Sequence, residues 1–413
     1  MDADQNGLKA RLLVASNGHG EDDIACKVLA CLLDADRNRS TVDAWPMVGE
    51  GRAYRELGIP TVGPRNTLPS AGFATLDWRL MAADLRSGWI GTHWMQYRFV
   101  RRLRSRYDAI IGVGDIIPLL VSRFSGLPMF FVACAKSAYY ESGDGYTFLE
   151  KQLMRRSCLA VFPRDRLTSD RLQMSGVANE YLGNPMMDGL TPDKGIPTDA
   201  SESTWIAMLP GSRSDALDNL FLLLAAAARL SEKSDQRVSL GFAIAAHRSL
   251  SLQQIRETII QAGVGGWNPV RHDHSDGTDD ATLALIHESG GRVLIMKDRF
   301  ADILHAASLA IGMAGTANEQ AVGLGIPLVT VPSTGVQGHN YARMKMKFFG
   351  ESAVMAQNDA ENIADVSLSL LQDAAACHRM ALAGRERMGQ PGASKAIAER
   401  IQSILNARHA ASF

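Results

Sequence analysis

Two doubly wound α/β domains in one chain are what this sequence predicts, on three observations. Short apolar runs alternate with helical spacing, a stretch poor in large apolar residues interrupts the alternation, and the alternation then restarts. In the first half, strands are expected at residues 11–15, 43–47, 59–62, 109–113, 129–132, 159–162 and 180–182, with helices at 22–33, 53–57 and 118–124. Residues 191–203, rich in Pro, Asp, Ser and Thr, read as a linker. Beyond it, strands are expected at 205–209, 238–243, 292–295, 309–312 and 328–331. Helices are expected at 217–230, 252–261, 301–307 and 317–323. Three further helices, 359–371, 374–387 and 394–407, close the chain.

These patterns divide the chain into a first domain over 1–190, a second over 204–374, and helices over 375–413 that pack back toward the first. A chain of 413 residues exceeds the size at which one core stops growing, so two domains facing across a cleft are expected. Residues 267–283 fit no regular element and read as an insertion loop running into a helical stretch at 281–287, because His272 and His274 without a third ligand do not make a zinc signature.

Composition narrows the function classes. Apolar residues make up 46% and charged residues 21%, ordinary globular usage. The 43 Lys and Arg nearly balance the 44 Asp and Glu, so no global field favours nucleic acid and any anion must be held locally. Five cysteines without C-x-x-C spacing point to reduced thiols and a cytoplasmic setting. No apolar run reaches the length of a membrane span. Residues 78–106 interleave Trp and Met with arginines, a pattern suited to peripheral contact with the inner face of a membrane.

Four stretches could carry chemistry. Ser16-Asn17-Gly18-His19-Gly20-Glu21-Asp22 follows the first strand and opens the first helix, where glycines allow close backbone approach and the helix start offers free N–H groups. It is not the G-x-G-x-x-G dinucleotide pattern. Leu209-Pro210-Gly211-Ser212-Arg213 follows the first strand of the second domain, and the Arg213 guanidinium suits phosphate. In the segment running from Gly312 to Gln320, the N–H groups at Gly315, Thr316 and Ala317 and the Thr316 hydroxyl could receive a diphosphate. Glu319 sits one turn in, placed to accept bonds from ribose hydroxyls. In the polar stretch at 335–342, the amides of Gln337 and Asn340 could fix sugar hydroxyls.

Together these words resemble the lipid-A-disaccharide synthases, and more distantly the UDP-N-acetylglucosamine transferase of peptidoglycan synthesis, both of the GT-B architecture. The matching words are Leu209-Pro-Gly-Ser-Arg213, Gly183-Asn-Pro-Met-Met-Asp188, and Gly315-Thr-Ala-Asn-Glu319 followed by Gly325-Ile-Pro327, in matching order over nearly the whole chain. Asn184 stands where the synthases have His.

The resemblance implies Arg213 as a diphosphate ligand, Glu319 as a ribose ligand and the backbone near Met296 at the uracil edge. Gly18 resembles part of a Gly-Gly-His turn, Asp22 the last acid of an N-terminal turn, and Asp115 lies near an aspartate important in the synthases. The implied activity is an inverting hexosyl transfer from a UDP-sugar to a lipid or lipid-linked acceptor, with no cofactor and no metal. Leaving-group charge would be met by Arg213, Thr316 and the helix start. His19, Asp115 and Asp22 are the candidates for the base. A UDP-sugar 2-epimerase and an inactive nucleotide-sugar-binding protein are the alternative readings.

Overall fold

The computed structural model describes residues 10–36, 40–64, 99–140, 145–197, 204–211, 215–234, 240–246, 251–270, 282–332 and 339–411. The chain forms two compact domains, one of residues 1–188 with 389–413 and one of residues 189–388.

The first domain runs β1 (Ala10–Ser16), α1 (His19–Asp36), β2 (Ser40–Pro46), α2 (Arg52–Glu56), β3 (Ala109–Val113), α3 (Ile116–Ser125), β4 (Met129–Ala133), α4 (Phe148–Ser157), β5 (Cys158–Pro163) and α5 (Arg166–Met174). Its five strands lie in the order β2-β1-β3-β4-β5, all neighbours parallel. The alternation of β1 explains the double winding. Leu12 and Val14 pack with Val28 and Leu29 of α1 on one face, while Leu13 and Ala15 pack with Leu119 of α3 and Leu153 of α4 on the other.

The second domain runs β6 (Thr204–Leu209), α6 (Ala216–Lys233), β7 (Leu240–Ala246), α7 (Leu252–Ala262), β8 (Asn268–Val270), β9 (Thr282–Ile286), β10 (Arg292–Lys297), α8 (Phe300–Ala306), β11 (Ala307–Gly312), α9 (Thr316–Gly323), β12 (Leu328–Thr330), α10 (His339–Phe349), β13 (Ala353–Met355), α11 (Ala360–Gln372) and α12 (Ala374–Met388). The strand order is β13-β12-β11-β6-β7-β10-β9-β8. Strands β6, β7 and β10 to β13 are parallel to their neighbours among themselves. Strands β8 and β9 add antiparallel at the edge beyond β10. Ile206 and Met208 of β6 meet Leu223 and Leu224 of α6 and Ile363 of α11 in its core.

Several expectations are corrected. Residues 180–182 form no strand: Glu180 N–H donates once to Val161 O, and the chain then enters the 3₁₀ turn Pro185–Met187, capped by Asn184 Oδ1. Residues 59–62 contribute only an isolated bridge from Thr61 to Ala44. Residues 267–283 are not wholly loop, since β8 and the start of β9 fall there, and the helix expected at 281–287 is β9, paired antiparallel with β10; a three-residue strand shows no readable period. Strand β13 and helix α10 were not expected. His272 and His274 lie outside the described residues. Of residues 78–106, those from 99 onward are described: Phe99 stacks edge-on against Trp45, Val100 and Leu103 are buried, and Arg101, Arg102 and Arg104 face outward. Among the described residues no helix is long and apolar enough to cross a membrane.

The closing helices divide between the domains. Helix α12 packs on α9 of the second domain, and Gly384 is required there because a Cβ would stand 2.3 Å from Val322 O. Helix α13 (Ala393–Ala410) packs on α1, burying Ile397 and Ile401 in the first core. What seats α13 is the Gly183-to-Asp188 word. Asp188 Oδ1 accepts from Gly392 N–H and Oδ2 from Ser394 N–H at 2.6 Å, so a carboxylate remote in sequence satisfies the orphan donors of the helix start. Lys27 of α1 donates to Met186 O at 3.3 Å from the other side. The first linker residues are ordered too, with N–H groups of Asp193, Lys194 and Gly195 converging on Asp302 Oδ1 at 2.8, 3.0 and 2.7 Å.

Asp188→Ala removes both bonds to α13, and about 0.5–2 kcal/mol of stability is expected to go with them, the range of a lost helix cap. Thermal melting measures the loss, and limited proteolysis should then cut first between Gly389 and Ala393.

Candidate functional site

In an open parallel sheet, ligands gather at the carboxyl edge where the strand order reverses. In the first domain that point lies between β1 and β3, so the turn after Ser16 and the turn after Val113 meet there. Asn17 bridges them: its Nδ2 donates to Asp115 Oδ1 at 2.7 Å, and that same oxygen caps α3 by accepting from Ile117 N–H at 2.9 Å. Burial raises the Asp115 carboxyl above its ordinary pKa, while the Ile117 N–H, Lys136 and Asn17 oppose the rise. A carboxylate moved toward neutrality suits a proton acceptor.

His19 is exposed at the start of α1, and its ring lies against Gly49, where a Cβ would stand 2.3 Å from His19 Cε1. Gly18 is covered by Glu21, whose Oε2 comes within 2.2 Å of the position a Cβ would take.

Asp22 does not belong with these surface groups, which corrects its place among the candidate bases. It is only 2% exposed and accepts from Ser16 Oγ at 2.5 Å inside the domain. Burial, opposed by the Ser16 bond and reinforced by Glu21 and Asp23, pushes its carboxyl up to about 7.

Along the same edge the turn after β4 brings Lys136 onto the buried Glu150 at 2.8 Å, and Glu150 closes a capping box with Thr147 at the start of α4. Sequence spacing could show the box, but not the lysine that completes it.

In the second domain the order reverses between β6 and β11. The turn after β6 carries Pro210 and Gly211, and the turn after β11 carries Met313, Ala314 and Gly315. Met313 N–H donates to Leu209 O at 3.0 Å, and Gly211, at φ 94°, faces Ala314, whose Cα would be 3.9 Å from a Cβ at that position. Two small-residue turns are thus brought side by side. Gly315 supplies no side-chain cap to α9, and the Thr316 hydroxyl is exposed at its first turn, leaving main-chain donors at the helix start available to an anion. Ala317 is half-buried in the same turn.

Glu319 lies beneath this opening. It is 3% exposed, and Lys345 of α10 donates to its Oε1. This cation lies 26 residues further along the chain, on a helix that spacing did not reveal. Met296 sits within β10, in register with Ala245 and Thr282, one residue short of the strand's carboxyl end. Asn340 lies in the first turn of α10. Ser212, Arg213 and Gln337 lie outside the described residues.

Comparison with known proteins agrees on the fold. MnaA of S. aureus, solved with UDP, superposes with a TM-score of 0.57 at 14% identity, over 96% of this chain and 97% of that one. MurG of Acinetobacter baumannii gives 0.55 at 15% identity, over 95% and 99%. UDP-GlcNAc 2-epimerase of Neisseria meningitidis, bound to UDP-GlcNAc, gives 0.55 at 12% identity, over 95% and 100%. No protein-family profile matches the chain, and no curated protein matches it. At these identities the likeness is one of fold: the chain has two Rossmann-like α/β domains of the GT-B type.

Because the Asp22 carboxyl is raised from 3.8 to about 7, the folded state holds a proton that the unfolded chain releases, so its contribution to stability is lost as pH rises through about 7. Asp22→Asn removes this loss while keeping an acceptor for Ser16. The variant should gain in melting temperature at pH 8, by about 2–4 °C per kcal/mol recovered, and gain little at pH 4. Melting curves at the two pH values measure the difference.

Proposed function

We propose that this protein is a hexosyltransferase, lipid-A-disaccharide-synthase-like in type, that binds a UDP-sugar through its second domain and passes the sugar, with inversion, to a lipid or lipid-linked acceptor. The observation that carries the reading is the uncapped start of α9 beside Gly211 and Ala314. An N-terminus of this kind acts as roughly half a positive charge with donors already oriented, and it can stabilise the diphosphate as the bond to the sugar breaks. Arg213, two residues after Gly211 in the sequence, would add a permanent cation, and the Thr316 hydroxyl a further donor.

Glu319 would meet the ribose, with Lys345 holding its Oε1. The backbone around Met296 would meet the uracil, and Gln337 and Asn340 the sugar. On the first domain, His19 and Asp115 are the candidates to take the acceptor proton. The MurG likeness in fold and the three sequence words support this assignment.

A second reading, epimerisation of a UDP-sugar at C2, is supported by the equal likeness in fold to the Neisseria meningitidis epimerase. The two reactions differ in their need for an acceptor. Incubation with a panel of UDP-sugars, with and without lipid extract, should release UDP and yield a glycolipid heavier by one hexose only when extract is present. Conversion of the donor to its C2 epimer without extract would replace the transferase reading, and UDP binding without either reaction would leave a binding protein.

Ala314→Asp places a negative charge beside the α9 start and should weaken UDP binding at least tenfold, about 1.4 kcal/mol, by calorimetry. Asp115→Asn keeps the α3 cap and the Asn17 bond while removing basicity. If Asp115 is the base, turnover should fall by about 10²–10⁴ with UDP affinity unchanged; if His19 is, His19→Ala should show that loss instead.

A further inference from the structure

We propose that Tyr54, through a buried hydrogen-bond chain with Ser16 and Asp22, is a positioning residue that holds the Asn17–His19 turn in its working geometry. Tyr54 donates to Ser16 and Ser16 to the Asp22 carboxylate, so every hydrogen of the buried chain has an acceptor when that carboxyl is ionised. This role rests on the reading of that turn as the first domain's reactive edge.

Ser16 ends β1, Asp22 lies in the first turn of α1 and Tyr54 in α2, with exposures of 0%, 2% and 0%. Ser16 Oγ donates to Asp22 Oδ1 at 2.5 Å and stands 2.7 Å from the Tyr54 hydroxyl. A serine hydroxyl has one hydrogen. When Asp22 is ionised, Ser16 gives that hydrogen to the carboxylate and Tyr54 must donate to Ser16. When Asp22 is protonated and donates to Ser16, Ser16 turns its hydrogen to Tyr54, and the buried Tyr54 hydrogen is left without an acceptor among the described residues, so the chain is fully paired with Tyr54 as donor and the carboxyl ionised.

The Ser16–Asp22 bond closes a loop around residues 17–21, and Met47 N–H fixes the strand end by donating to Ser16 O at 2.9 Å. Within that loop Asn17 reaches Asp115, and His19 rests on Gly49. The placement of both candidate bases therefore depends on this buried chain.

The surroundings make that change of charge relevant at neutral pH. Burial, against the Ser16 bond and together with Glu21 and Asp23, raises the Asp22 carboxyl. Cys26 of α1 and Tyr54 of α2 are the other titratable groups packed beside it, and burial raises both. A tyrosine that served only as packing would be replaced by phenylalanine at little cost. Tyr54→Phe instead removes the donor that completes the chain to the ionised Asp22, where the bonds are charge-assisted.

The test uses the full chain and Tyr54→Phe. UDP affinity, set in the second domain, should stay within about twofold of wild type. The ratio of variant to wild-type kcat should fall as pH rises through 7, reaching a loss of about ten- to a hundredfold, with the acceptor KM little changed. A ratio independent of pH overturns the proposal. Amide hydrogen exchange on the protein alone keeps the question separate from the identity of the reaction. The Asp22 amide, which donates to Gly18 O at 2.9 Å, should lose protection in Tyr54→Phe above pH 7 while the β3 and β4 amides keep theirs. Unchanged protection of that amide refutes the positioning role even if the transferase reading fails.

Discussion

Both ligand edges of this protein are shaped by an asparagine amide pressed onto a glycine that has no room for a side chain. A Cβ on Gly114 would stand 2.0 Å from Asn17 Oδ1, and one on Gly312 would stand 2.0 Å from Asn318 Oδ1. In the first domain the contact crosses the reversal of strand order and carries Asn17 to Asp115. In the second it stays local, with Asn318 Nδ2 donating to Gly312 O at 3.2 Å beneath the start of α9. Both amide oxygens are buried without a hydrogen bond among the described residues. Leaving such an atom unpaired costs about 1–3 kcal/mol, so the close packing at these two turns is maintained against a local penalty. Strain of this kind is common where a backbone must be held open for a ligand.

The buried carboxylates are compensated in three ways. Glu319 and Glu150 each meet a lysine, Lys345 and Lys136. Asp302, like the half-buried Asp188, meets backbone N–H groups, and the two anchor the linker and α13 respectively. Asp22 meets only a hydroxyl in its immediate hydrogen bonding, and it is the one among these whose carboxyl is pushed to about 7. An ion pair or several N–H donors favour the charged form, whereas a single neutral donor in a dry site does not offset desolvation.

Much of this architecture was legible in the sequence because a doubly covered parallel sheet writes itself as repeated apolar runs. The strands at 109–113 and 309–312 and the long helices appear where spacing puts them. Short edge elements such as β8 and β13, at three residues each, carry no period to read. The turns at Gly211 and Gly315 were visible through their small residues. Lys345 and Tyr54 were not, since each becomes meaningful only through a partner 26 or 38 residues away. The Gly183-to-Asp188 word was recognised for its resemblance, and its structural work proved to be the seating of the last helix.

That seating has a consequence for how the chain is made. The second domain is one uninterrupted segment, whereas the first lacks α13, and with it Ile397 and Ile401 of its core, until the final residues are synthesised. On the ribosome the apolar flank of α1 must therefore wait, open to water, while some two hundred later residues emerge and fold. A stop codon near position 389 would leave that flank permanently bare, so such a fragment would be a substrate for chaperones and proteases.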